Sequence, residues 1–215
     1  MTFLEYFAGN WMEVLDATIA HTVLVLEGLA LAVLIGLPVA VLTYRTGTPR
    51  TFTLGVAGLL LTIPSYALFG LLIAPLGLGS APAVVALTLY ALLPVIRNTI
   101  VGLREVDPAV VESARGMGMN RLRLLATVEF PLAWPVVVTG LRVATQLLLG
   151  IAAIAAAVNG PGLGNLILDG LAKAGTPFAI YLTIEGAAAI VLLAVLFDAA
   201  FAVLNRLTTS RGLRV

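Results

Sequence analysis

The sequence predicts an all-α polytopic membrane protein with about five transmembrane helices. Three observations carry this. Mean hydropathy is +1.09. Across 215 residues 60% are hydrophobic and 11% charged, which is too apolar for a soluble globular domain. Five stretches reach the roughly 20 residues needed to cross a hydrocarbon core about 30 Å thick, and the basic residues between them fall on one side.

The expected spans are Thr22–Tyr44, Phe52–Leu76, Ala83–Leu103, Leu132–Val158 and Phe178–Leu204. The first 17 residues mix aromatics with Glu5, Glu13 and Asp16, and read as an interfacial amphipathic helix. No Lys or Arg precedes Arg45, so the first span is expected to be an uncleaved anchor, not a signal peptide. Pro64 and Pro94 lie inside spans two and three and are expected to kink them.

Arg45 and Arg50 follow span one. Arg104, Arg115, Arg121 and Arg123 lie between spans three and four, and Arg206, Arg211 and Arg214 follow span five. Lys173, Glu5, Glu13, Asp16 and Asp169 fall on the other side. The positive-inside rule then puts the N-terminus outside and the C-terminus in the cytoplasm. The expected division is an interfacial extracytoplasmic segment 1–21, a transmembrane domain 22–204 with a cytoplasmic loop 104–131, and a cytoplasmic tail 205–215.

Several functions are excluded or disfavoured. With no cysteine there is no disulfide or thiol chemistry, and His21 is the single histidine, so no histidine cluster can form. A net charge of +1 gives no field for nucleic acid. No paired catalytic carboxylates favour a membrane-embedded enzyme. An odd number of spans without an internal repeat counts against a secondary transporter of two inverted halves.

The most informative segment is the charged island Gly102–Pro131. Asp107-Pro108 reads as an N-cap followed by proline at the first helical position. A short helix, Ala109–Met117, is expected to end at Gly118 in the left-handed C′ position. Asn120 can cap a second helix, Arg121–Glu129, stopping before Pro131, which would open span four. Val110, Val111 and Ala114 form a candidate apolar ridge, flanked by Glu112, Arg115 and Arg121.

This island resembles the cytoplasmic "EAA" loop of the integral membrane subunits of binding-protein-dependent ABC importers. That pattern is Glu-Ala-Ala, three residues, Gly, nine residues, an aliphatic residue, one residue, an apolar residue and Pro. Here it reads Glu112-Ser113-Ala114, Gly118, Val128, Phe130 and Pro131. Ser113 and Phe130 are mild departures. Further runs resemble the osmoprotectant branch, which imports glycine betaine, carnitine or choline. They are Thr62–Ser65, Leu93–Thr99, Ala114–Met119, Gly140-Leu141-Arg142 and Asn159–Gly164.

The resemblance implies a type I importer permease fold like that of the methionine permease. It also implies a second permease copy, identical or paralogous, and an extracytoplasmic substrate-binding protein. Two cytoplasmic ATPases would use ATP-Mg and grip the loop through Glu112, Ser113, Ala114, Arg115, Gly118, Arg121 and Pro131. No cofactor is expected on this chain. No G-x-x-x-x-G-K-[ST] occurs, so it has no sequence basis for hydrolysing ATP itself. Two other readings are a permease for another small solute such as an amino acid, and an ATPase-independent secondary transporter.

Tyr66, Tyr90 and Asn98 are candidates for a translocation path, because tyrosine faces attract quaternary ammonium ions. Arg142 lies about 16 Å into span four. As a charge inside the membrane it reads as a path or gate residue, or as the partner of Glu129, Asp198 or a helix end. Glu27 and Glu185 are read in the same two ways. His21 is expected to be structural, and the glycine-rich run Gly160–Gly164 to be a tight outer turn.

Overall fold

The computed structural model describes residues 2–209, and among them every regular element is helical. The outer part of the tail, with Arg211 and Arg214, lies outside the described residues. Four helices are long and apolar enough to cross a membrane, and a bent helix pair, taken as one broken span, would bring the crossings to five.

Helix α1 runs unbroken from Phe3 to Thr43. Its 41 residues span about 60 Å, twice a hydrocarbon core. The segment expected to be a separate interfacial helix is thus the first half of one continuous helix. Thr2 and Glu5 form a capping box that starts the helix two residues into the chain, and nothing between residues 17 and 22 breaks it. Its first turns stand against the start of the last helix, with Phe3 5.6 Å from Tyr181 and Tyr6 stacked 5.5 Å from Phe178.

The second expected span is two helices, α2 (Thr48–Thr62) and α3 (Ser65–Leu76), bent by 97°. Pro64 does more than kink it. The proline ring pushes Ile63 into an extended conformation (ψ 128°) and Pro64 itself follows at ψ 129°. The carbonyl of Ile63, orphaned at the break, accepts a 2.7 Å hydrogen bond from the Tyr90 hydroxyl.

Helix α4 (Ser80–Arg104) is buried along most of its length and packs chiefly on α1 and on α7 (Phe130–Ala152). It stays continuous through Pro94. Lipid supplies no hydrophobic drive between helices, so close approach at small residues holds them together. A Cβ on Gly140 of α7 would stand 2.5 Å from Asn98 Cβ and 2.9 Å from the Pro94 carbonyl. Nearer the start of α4, a Cβ on Gly28 of α1 would lie 2.7 Å from Leu87 Cβ.

The loop between α4 and α7 carries α5 (Pro108–Gly116) and α6 (Arg121–Leu124). Residues 121–158 are then helical without interruption, as α6, a π-turn Leu125–Glu129, α7 and a 3₁₀ end Ala153–Val158. The second loop helix therefore does not stop before Pro131. The wide π-turn, closed by the Phe130 N–H on the Leu125 carbonyl, lets Pro131 enter the second position of α7 without ending the helix.

Helix α8 (Gly164–Ala172) follows the glycine-rich turn, in which Asn159 is left-handed and Asn165 Nδ2 donates to the Gly160 and Gly162 carbonyls. Helix α9 (Ala179–Thr208) packs on α8 and α7 but exposes most of its length, and it continues past the expected tail boundary at 205. His21 is fully buried, and its Nε2 meets the Leu149 carbonyl at 3.1 Å, tying α1 to α7.

Gly140→Ala should destabilise the protein by about 1–3 kcal/mol through overpacking at the α4–α7 crossing. Gly150→Ala, with nothing within 4 Å of its Cβ position, should not. Thermal unfolding midpoints in detergent compare the two, and equal midpoints would contradict a tight crossing.

Candidate functional site

The loop forms as its local chemistry dictates. Asp107 caps α5, its Oδ1 accepting from Ala109 N–H at 2.8 Å, an arrangement worth about 1 kcal/mol. Gly118 ends the helix at φ +80°, where a side chain would be strained. Its N–H donates to the Arg115 carbonyl, and Met119 N–H to that of Ala114. Asn120 Oδ1 accepts from Arg123 N–H at 2.9 Å and starts α6.

The two faces of α5 have different fates. Ala114 is buried and Val111 half-buried, so these two seat the helix on the bundle. Val110, Ser113 and Met117, spaced three and four residues apart, share the outward face and are exposed, as is Leu122 on α6. The expected ridge of Val110, Val111 and Ala114 is thus divided. Glu112 and Arg115 turn sideways into a cavity of about 330 Å³ that Arg45, Arg50, Arg104 and Glu129 also line. Arg121 is exposed on α6, and Pro131 is exposed in α7.

What holds this unit against the membrane domain is Glu129, 2% exposed inside the π-turn. Its carboxylate accepts from the Tyr44 hydroxyl at 2.8 Å and from Arg45 at 2.5 Å, both at the end of α1. Burial first, and donation to Glu129 second, push the Tyr44 phenol up to about 12. The sequence offers Glu129 only as a partner for Arg142. Its true partners lie 84 and 85 positions away, and nothing local in either segment pairs them.

Arg142 pairs instead with Asp198 of α9, its Nε at 2.5 Å and an NH2 at 2.6 Å from the two carboxylate oxygens. This two-point bridge is nearly half exposed on the outside of the single chain. In a bilayer an ion pair so placed needs a second protein surface or a water-filled path over it.

The other path candidates divide. Tyr66 is 71% exposed at the start of α3. Tyr90 is 2% exposed with its hydroxyl committed to Ile63, so it braces the α2–α3 bend and offers no open face. Asn98 Nδ2 donates to the Pro94 carbonyl beneath Gly140, which makes it part of the α4–α7 crossing. Glu27 is exposed on α1. Among the described residues no group of three metal-ligating side chains gathers.

The profile of the binding-protein-dependent transport system inner membrane components matches residues 32–210. The chain is 40% identical over 220 residues to the osmoprotectant import permease protein OsmW of Salmonella typhimurium, covering 100% of both. It is 33% identical to the carnitine transport permease protein OpuCB of Listeria monocytogenes and 34% identical to the choline transport system permease protein OpuBB of Bacillus subtilis. In each comparison it covers 98% of this chain and 95% of the relative. The fold is that of an inward-facing MetNI methionine ABC transporter chain, with TM-score 0.80 at 23% identity over 92% of this chain and 96% of that one.

Arg45→Met, which strands the Glu129 carboxylate in its buried seat, should cost about 2 kcal/mol or more; Glu129→Gln, which frees an arginine able to reach water, should cost less. Thermal unfolding in detergent ranks the two, and the reverse order would contradict this account of the clasp. Because the Tyr44 pKa is raised, its stabilising contribution is complete below the ordinary value of 10.0 and is lost as pH climbs toward about 12. Stability measured across that window should fall less steeply in Tyr44→Phe.

Proposed function

This chain belongs to the binding-protein-dependent transport system inner membrane components, and from that premise we propose how it works as the permease of an osmoprotectant ABC importer. It is a multi-pass protein of a prokaryotic plasma membrane. The solute is a quaternary ammonium compound of the glycine betaine, carnitine and choline class. Relatives matched nearly end to end, whose names specify osmoprotectant, carnitine and choline, support this.

The observation that carries the mechanism is the seated, capped loop. The loop lies on the cytoplasmic side, with the N-terminus outside, as the arginine distribution argues. Helix α5 offers Val110, Ser113 and Met117 to a cleft on a cytoplasmic ATPase, while Val111 and Ala114 fasten it to the bundle. The ATPase binds and hydrolyses ATP-Mg.

When ATP draws two ATPases together, each loop must move as one piece to change the spans. Caps at Asp107 and Asn120, the Gly118 turn and the buried Glu129 clasp make it rigid enough. From Glu129 the chain runs without a break into α7, so displacement at the loop becomes tilt of a membrane helix.

A second copy, identical or paralogous, completes the path and covers the exposed face of α9 with the Arg142–Asp198 bridge. An extracytoplasmic binding protein delivers the solute to the opposite face. A rival permease for an amino acid shares the fold, but the end-to-end relatives named for quaternary ammonium solutes favour the first reading.

In proteoliposomes holding the whole importer, Gly118→Trp and Glu112→Lys should abolish solute uptake, by about tenfold or more, while the protein still inserts and ATP is still hydrolysed. Normal uptake by Gly118→Trp at normal abundance would sink the coupling role. Purified alone, the chain should show no ATPase activity, and turnover by a clean preparation would contradict the division of labour.

A further inference from the structure

On the end of the bundle away from the loop, α1 and α9 flank a groove of about 720 Å³. Phe3, Phe7 and Trp11, four residues apart on α1, form one wall. The short side chains of Ala188 and Ala189 on α9 leave the space open opposite them. Phe3 continues into an aromatic cluster with Tyr181 at the mouth.

One charged residue lines this apolar groove. Glu185 is 3% exposed, and neither of its carboxylate oxygens has a hydrogen-bond partner. No lysine or arginine lines the space. A buried carboxylate without a donor is costly as an anion, so it is met either by a proton or by a cation that enters the groove.

The surroundings select which cation can answer it. A metal ion needs several oxygen ligands, and the one other polar side chain, Thr18, already donates to the Val14 carbonyl. A primary ammonium would bring three N–H donors into a wall with one acceptor. A quaternary ammonium has no N–H to satisfy. It needs only negative charge, methyl contact and aromatic faces, and those are what the groove offers.

We propose that the α1–α9 groove is a binding site for a quaternary ammonium cation on this chain. Glu185 is its counter-ion and Trp11 and Phe7 are its aromatic walls. This rests on the substrate class argued above and goes beyond it. The permease has its own contact with the solute, separate from that of the binding protein, at the end where the solute arrives.

The test uses the assembled importer in nanodiscs without its binding protein, and measures equilibrium binding of radiolabelled choline. Wild type should bind choline saturably. Glu185→Gln, nearly isosteric and free of buried charge, should weaken binding by about tenfold or more without loss of assembly. Trp11→Ala, at an exposed position, should weaken it as well. The neutral analogue of choline, with carbon in place of nitrogen, should bind weakly and equally to wild type and Glu185→Gln.

Undiminished choline binding by Glu185→Gln, or equal competition by the neutral analogue, would overturn the site and leave an apolar groove for lipid or a second copy. Uptake of choline through the binding protein with no binding to wild type in its absence would defeat the site alone. Failure of the complete importer to take up any quaternary ammonium solute would defeat the substrate reading, and this site with it.

Discussion

In the hydrocarbon core a backbone N–H or C=O that is not bonded within the protein goes unbonded, and the rest of this structure follows from that constraint. Long helices meet it by themselves, so the informative places are where the helical ladder is interrupted. At Pro64 the chain turns by 97° and the freed Ile63 carbonyl is taken up by Tyr90 from α4. At Pro131 the ladder slips to a π-turn and carries on. Proline thus has opposite outcomes in two places. The first bend has a buried tyrosine to complete it, and the second has a neighbouring helix to remain part of.

Charges in the membrane domain obey the same economy with different solutions. Glu129 is buried and fully engaged by Tyr44 and Arg45, which makes it a fastening between the loop and α1. Arg142 and Asp198 neutralise each other on an open flank of the chain, so they gain from a second surface more than from further burial. Glu185 is buried and unengaged, which is why it reads as a place for something to bind. Sequence position alone does not separate these three carboxylates. Only the neighbours that other helices bring to each carboxylate decide its role.

Rigid transmission and small-residue packing are linked here. The close approach of α4 to α1 and α7 at Gly28 and Gly140 gives the bundle a stiff centre. The loop is anchored at α4 on one side and runs into α7 on the other. A force applied to α5 therefore enters α4 and α7, which pack closely on one another, while α9 remains largely free for a partner.

Much of this was legible in the sequence because it depends on neighbours a few residues apart. The all-α class, the long apolar helices, the caps at Asp107 and Asn120 and the left-handed Gly118 are short-range consequences of hydropathy, side-chain hydrogen bonding and the missing Cβ of glycine. The spacing from Glu112 to Pro131 was enough to identify the kind of loop. What the sequence could not decide was long-range. The continuity of α1 past residue 21, the break at Pro64 in place of a kink, and the passage of a helix through Pro131 depend on what packs alongside. So do the commitment of the Tyr90 hydroxyl to Ile63, the place of Asn98 at the α4–α7 crossing, the pairing of Arg142 with Asp198, and the clasp on Glu129. Local sequence sets which hydrogen bonds a segment must lose, and only tertiary structure determines who replaces them.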